Sequence, residues 1–236
     1  AVFVFLTLIG LICLFCVHFF FKESLPPERR LKLNVAQIIQ LYGSIFKDPS
    51  FKWPMLAGCF SGGILFCYIS SSAAVLMDHY GLAQQQFAYA FGLNAFGIML
   101  LSALNKRLGQ QFSVLSRLKI GGIIQLLGVC ILFSAGLIGH SPLWLVLIGM
   151  FWAVAGIGFT GPNAMALAMS EQGAQAGTAS AIMGSMQFAC GLLGGVILNF
   201  LIWKASLNMG LMMLMFTSAG LFAIFKVGKQ QDSIFS

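Results

Sequence analysis

Seven stretches of this chain are long enough to cross a bilayer, and none has an Asp, Glu, Lys or Arg in its middle: residues 2–21, 53–77, 87–108, 114–138, 143–169, 178–202 and 209–225. About 20 mostly apolar residues carry a helix through the hydrocarbon core. No water is available there to satisfy backbone N–H and C=O groups, so a segment that enters must bond its own backbone, as a helix does. The pattern confines the chain to an all-α integral membrane fold. Composition agrees: 8% of residues are charged, against about 25% in a soluble domain.

Alternate gaps between the seven segments fall on opposite sides of the membrane. Lys22, Arg29, Arg30, Lys32, Lys47, Lys52, Lys106, Arg107, Arg117, Lys119, Lys226 and Lys229 share one side, and Lys204 is alone on the other. Basic residues mark the cytoplasmic face. The expected orientation is therefore N-terminus outside and C-terminus cytoplasmic. The formal charge of +7 is spread over three cytoplasmic segments rather than one patch, which argues against a nucleic-acid partner.

The gaps are unequal. Residues 1–21 read as one helix that begins abruptly, as if an earlier loop were missing; the chain reads as a fragment. Residues 22–52 form a long connector, opening with a helix-stopping Pro26-Pro27 and continuing as an amphipathic helix over 33–46 on Leu33, Ile38, Leu41, Ile45 and Phe46. Asp48-Pro49 ends that helix, and Pro54 sits near the start of the next. Residues 53–226 form a six-helix bundle whose short loops make successive helices antiparallel neighbours, and 227–236 form a cytoplasmic tail. Gly58-x3-Gly62 and Gly191-x3-Gly195 are spaced for close helix packing. Pro162, with Gly156, Gly158 and Gly161, predicts a bend near itself.

Polar residues at membrane depth are neutral. His18 reads as an interface residue and His140 as a loop residue. The six cysteines lie in apolar segments and read as small buried packing residues; Cys13-x2-Cys16 lacks the second ligand pair that a metal would need. No nucleophile with an acid–base partner is present, so no enzyme, catalytic residue, cofactor or metal is expected. Asn94, Gln125, Asn163, Gln187 and Asn199 each need a partner helix or a watery cavity. At helical spacing, Trp152, Gly156, Phe159 and Asn163 form one stripe, and Ser180, Met183, Gln187, Gly191 and Gly194 another. Ser61, Tyr68 and Ser71 or Ser72 form a third, and Asn94, Gly97, Leu101 and Asn105 a fourth. Such mixed stripes suit either helix contact or a pocket for a large, mostly apolar ligand.

At these residues the chain resembles the major facilitator superfamily, and within it the twelve-helix drug:proton antiporters of the Bcr/CflA type. The resemblance rests on Glu23-Ser-Leu-Pro-Pro-Glu-Arg-Arg30, Phe91-Gly-Leu-Asn-Ala-Phe-Gly97, Leu104-Asn-Lys-Arg-Leu-Gly109, Gly161-Pro-Asn-Ala-Met-Ala-Leu-Ala-Met169 and the run from Ala176 to Phe188. It implies helices six to twelve of such a protein: the last helix of a first bundle, then the whole second bundle. It further implies a bacterial inner membrane, alternating access, and proton-coupled efflux of drugs or small metabolites, with the proton-binding acids in the missing first bundle. Tyr68, Asn94, Trp152, Phe159, Asn163, Met183 and Gln187 are the expected substrate-lining residues. The expected partners are a small-molecule substrate, protons, membrane lipids and the missing six-helix bundle. The alternative is a seven-helix receptor or scaffold that transports nothing.

Overall fold

The structure is a computed structural model describing residues 2–21, 34–138 and 140–235. The Glu23–Arg30 motif, the diproline and Lys22, Arg29, Arg30 and Lys32 lie outside these residues, as does the side chain of Ile38. The chain divides into two compact units, Ala1–Gln40 and Leu41–Ser236. No strand occurs among the described residues, and seven helices are long and apolar enough to cross a membrane.

The first unit contains α1 (Val2–Phe20) and the start of α2 (Val35–Lys47). Asn34 opens α2 reciprocally: its Oδ1 accepts from Gln37 N at 2.8 Å, and its own N donates to Gln37 Oε1 at 2.9 Å. Two free N–H groups of the first turn are thereby satisfied.

The second unit begins within α2, whose Ile45 is buried. Asp48 then stops α2 and starts α3 (Pro49–Ala73). Its extended backbone and the bond from Ser50 N to its Oδ1, 2.9 Å, make it the cap, with Pro49 in the first helical position. The helix thus begins before the apolar run at 53. It continues through a π-helical turn, Ala74–His79, to Gly81, whose φ of +70° reverses the chain. There Gly81 N and Leu82 N close the helix on Met77 O and Leu76 O.

The remaining helices are α4 (Gln84–Leu108), α5 (Val114–Ile138), α6 (Leu143–Ala155), α7 (Ile157–Met169), α8 (Ala176–Phe200) and α9 (Ala205–Phe235). α9 runs on through the segment expected as a tail. α3 packs on α7, α8 and α9; α5 packs on α6, α7 and α9; α4 packs on α6 and α7. Within the second unit, the membrane-length segment of α3 and the α6–α7 pair are the most buried spans, and α4 and α8 the least.

The expected bend lies six residues earlier than Pro162. The helix breaks at Gly156, between α6 and α7, while Pro162 sits inside α7. Gly156 can break there because it presses on α5: a Cβ on it would lie 2.5 Å from Gln125 Cγ. Close approaches lock the neighbouring helices too. A Cβ on Gly97 would come 2.7 Å from the Phe151 ring, and one on Gly128 would strike the Ala153 backbone nitrogen.

Three of the six cysteines depart from the expected burial. Cys59, Cys67 and Cys190 are buried, but Cys13, Cys16 and Cys130 are exposed. On a helix surrounded by lipid tails an outward thiol meets an apolar solvent, so apolar sequence alone does not turn it inward.

Candidate functional site

Polar side chains between the helices form three groups. In the first, Gln125 Nε2 of α5 donates to Ser61 Oγ of α3 at 3.0 Å. Ser61 in turn shares a short hydrogen bond with Thr160 of α7. Thr160 Oγ1 donates to Gly156 O at 3.3 Å, so the chain of bonds ends on the carbonyl at the helix break. Every donor points one way, from α5 through α3 to α7.

The second group centres on Asn105 at the end of α4. Its Oδ1 accepts from Asn163 Nδ2 at 2.9 Å and from Arg117 Nη1 at 3.1 Å, and its Nδ2 donates to Gly158 O at 3.4 Å. Gly158 lies four residues before Pro162, so it faces the position where proline has no N–H. Asn105 therefore supplies the donor that Pro162 removes. Asn163 spends its second N–H on Phe159 O at 2.8 Å.

In the third group, Asn94 Nδ2 of α4 donates to Tyr68 Oη of α3 at 3.0 Å and to Ala90 O at 3.0 Å. The Tyr68 ring stacks on Phe91 with centroids 5.2 Å apart. Asn94 Oδ1 is buried and has no hydrogen-bond partner.

Alongside these groups lies a hollow of about 320 Å³ between α3, α7 and α8. Cys59 of α3, Pro162 and Met165 of α7, and Ser180, Met183 and Gln187 of α8 line it with three glycines. Small residues make the space: a Cβ on Gly58 would lie 2.9 Å from Met183 Cε, and one on Gly62 2.6 Å from Gln187 Cγ. Cys59 of α3 and Cys190 of α8 are both buried in one apolar cluster. Gln187 is half-buried, and its amide has no hydrogen-bond partner among the described residues. Further along the same seam a second hollow, of about 780 Å³, is lined by Phe66, Ser70, Ser71, Phe188, Asn199 and Asn208 among others.

Of the seven expected lining residues, Met183 and Gln187 border the smaller hollow, and the other five border neither. Asn94 donates to Tyr68, and Asn163 to Asn105. Phe159, 1% exposed, packs with Leu101 and Ala155. Trp152 is 41% exposed, so the stripe drawn from Trp152 to Asn163 separates: the break at Gly156 leaves the indole outward and Phe159 and Asn163 inward. The α8 stripe holds together, since Ser180, Met183, Gln187 and Gly191 all face the seam. The sequence reading missed Phe66 and Phe188. The signal for Phe66 was the Gly191-x3-Gly195 pair, because Gly191 opens the space its ring fills.

These features define the class: a multi-pass α-helical membrane protein, with hydrogen-bond networks between its helices and an open seam beside a loosely covered helix. The chain belongs to the Major Facilitator Superfamily, whose family model matches residues 1–197. It is 32% identical over 192 residues to the uncharacterized MFS-type transporter YdgK of Bacillus subtilis, covering 81% of this chain and 47% of the relative. It is 30% identical over 207 residues to a bicyclomycin resistance protein homolog of Haemophilus influenzae, covering 83% of this chain and 49% of the relative. The chain therefore spans about half the length of the curated relatives it matches.

Proposed function

We propose that the chain is the second half of a secondary active transporter that exports drugs or small metabolites in exchange for protons across the bacterial inner membrane. In this reading residues 1–21 close a first bundle, residues 22–52 connect the halves on the cytoplasmic side, and residues 53–226 form the second bundle. The α3–α8 seam would then face the central path, and alternating access would open it to one side at a time. Proton-binding acids would come from the first bundle, since no described span carries an ionisable carboxylate at its centre.

The observation that carries the reading is the unpartnered, half-buried amide of Gln187 in a hollow lined by Met165 and Met183. An amide offers two donors and two acceptors, and thioether side chains repack around ligands of different shape. A mostly apolar, uncharged or amphipathic solute fits that chemistry. The bicyclomycin resistance homolog among the relatives favours an antibiotic-like solute.

The experiment is dye and drug accumulation in cells expressing the intact protein. Expression should lower accumulation, and a protonophore should abolish the difference. Gln187→Leu should change which compounds are excluded at unchanged membrane abundance. An accumulation difference that survives the protonophore sinks the coupling, and an unchanged compound profile in Gln187→Leu sinks the site.

A further inference from the structure

Two ammonium groups converge on one indole at an end of the bundle. Lys52 Nζ lies 4.9 Å from the centroid of the Trp53 ring, and Lys226 Nζ lies 6.0 Å from the same centroid and 5.3 Å from that of Phe222. Trp53 and Phe222 meet edge to face at 6.0 Å, joining the first turns of α3 to the far end of the α9 span. Neither lysine forms an ion pair among the described residues. Like charges gathered on one ring repel, and cation–π attraction offsets only part of that. An anion is the component that completes this arrangement.

We infer that Lys52 and Lys226, held over Trp53 and Phe222, bind the phosphate of an anionic phospholipid at the α3–α9 edge of the bundle. Depth selects a lipid over a soluble anion. Both lysines lie at the end of membrane-length spans, where headgroups are. Phe222, one helical turn inward of Lys226, is 55% exposed, and Phe225 beside Lys226 is 65% exposed, offering an apolar track for acyl chains below the cations. Basic sites between helices at this depth are suited to anionic headgroups.

The test is native mass spectrometry of the intact protein in mild detergent, titrated with phosphatidylglycerol or with phosphatidylcholine of the same acyl chains. The K52Q/K226Q variant should bind its first phosphatidylglycerol about 30-fold more weakly, which is about 2 kcal/mol at 1.4 kcal/mol per tenfold. Phosphatidylcholine binding should not change, and K52R/K226R should stay close to the unaltered protein. Equal phosphatidylglycerol affinity in K52Q/K226Q overturns the inference. So does displacement of the first phosphatidylglycerol by millimolar inorganic phosphate, which would make the site one for a free anion. If K52Q/K226Q fails to fold, the unaltered protein decides: its preference for phosphatidylglycerol should collapse between about 0.05 and about 0.5 M salt, and a salt-independent preference overturns the assignment.

Discussion

Asn105→Ala tests the claim that a side chain on α4 supplies the hydrogen bond that Pro162 takes from α7. The substitution removes three bonds: from Asn163 at 2.9 Å, from Arg117 at 3.1 Å and to Gly158 O at 3.4 Å. Asn163 keeps its bond to Phe159 O, and Arg117 keeps one to Asn105 O at 3.2 Å. The Gly158 carbonyl keeps neither the side-chain donor nor, because of Pro162, a backbone donor four residues on. Bonds between membrane helices average about 0.6 kcal/mol and reach about 1.7, and an orphaned buried acceptor costs about 1–3 kcal/mol. Asn105→Ala should therefore cost about 2–3 kcal/mol, of which about 1 kcal/mol belongs to Gly158 O. Pro162→Ala restores a backbone N–H at that position, so Asn105→Ala should cost about 1 kcal/mol less in the Pro162→Ala background. Equilibrium unfolding of the intact protein in mixed micelles, followed by tryptophan fluorescence, measures all four corners of the cycle. Distant independent sites add to within about 0.5 kcal/mol. Additivity at that level would refute the compensation between Asn105 and Pro162.

Five other substitutions probe the packing and the topology. Gly128→Ala forces a Cβ onto the Ala153 backbone nitrogen and should cost at least about 2 kcal/mol, visible as lost folded protein in the membrane; Gly43→Ala, which meets nothing within 4 Å, should be neutral or slightly stabilising. Normal yield of Gly128→Ala would contradict the tight α5–α6 contact. Tyr68→Phe should cost about 1 kcal/mol in the same unfolding assay by removing the hydroxyl that accepts from Asn94. In a cysteine-free version of the intact protein, Lys204→Cys should react with an impermeant maleimide in intact cells and Gln110→Cys only after permeabilisation; the reverse pattern inverts the proposed orientation.

The sequence by itself determined that this chain enters a membrane, because the energetics of an unpaired backbone in hydrocarbon leave an uncharged run of 20 residues no other stable form. It also determined which face of α4 turns inward. Asn94, Gly97, Leu101 and Asn105 were grouped by periodicity alone, and all four are the buried residues of α4. Asp48-Pro49 is legible as the stop of α2, whereas its second role, as cap and first turn of α3, came only with the structure. What an inward amide meets was decided only by the tertiary structure. Asn163 and Gln187 are alike in chemistry and in span, and desolvation is relieved equally by a partner side chain or by an open, wettable space. Asn163 meets Asn105, which lies 58 positions away in the chain, while Gln187 finds the hollow left by Gly58 and Gly62. That difference depends on the depth at which α4, α7 and α8 pack against their neighbours. The depth is set by contacts such as Gly97 on Phe151 and Gly62 on Gln187, whose two halves sit on different helices. The helix break followed the same logic. Proline marked where a hydrogen bond is lost, but Asn105 filled that gap, and the chain broke instead at Gly156, where the backbone presses on α5.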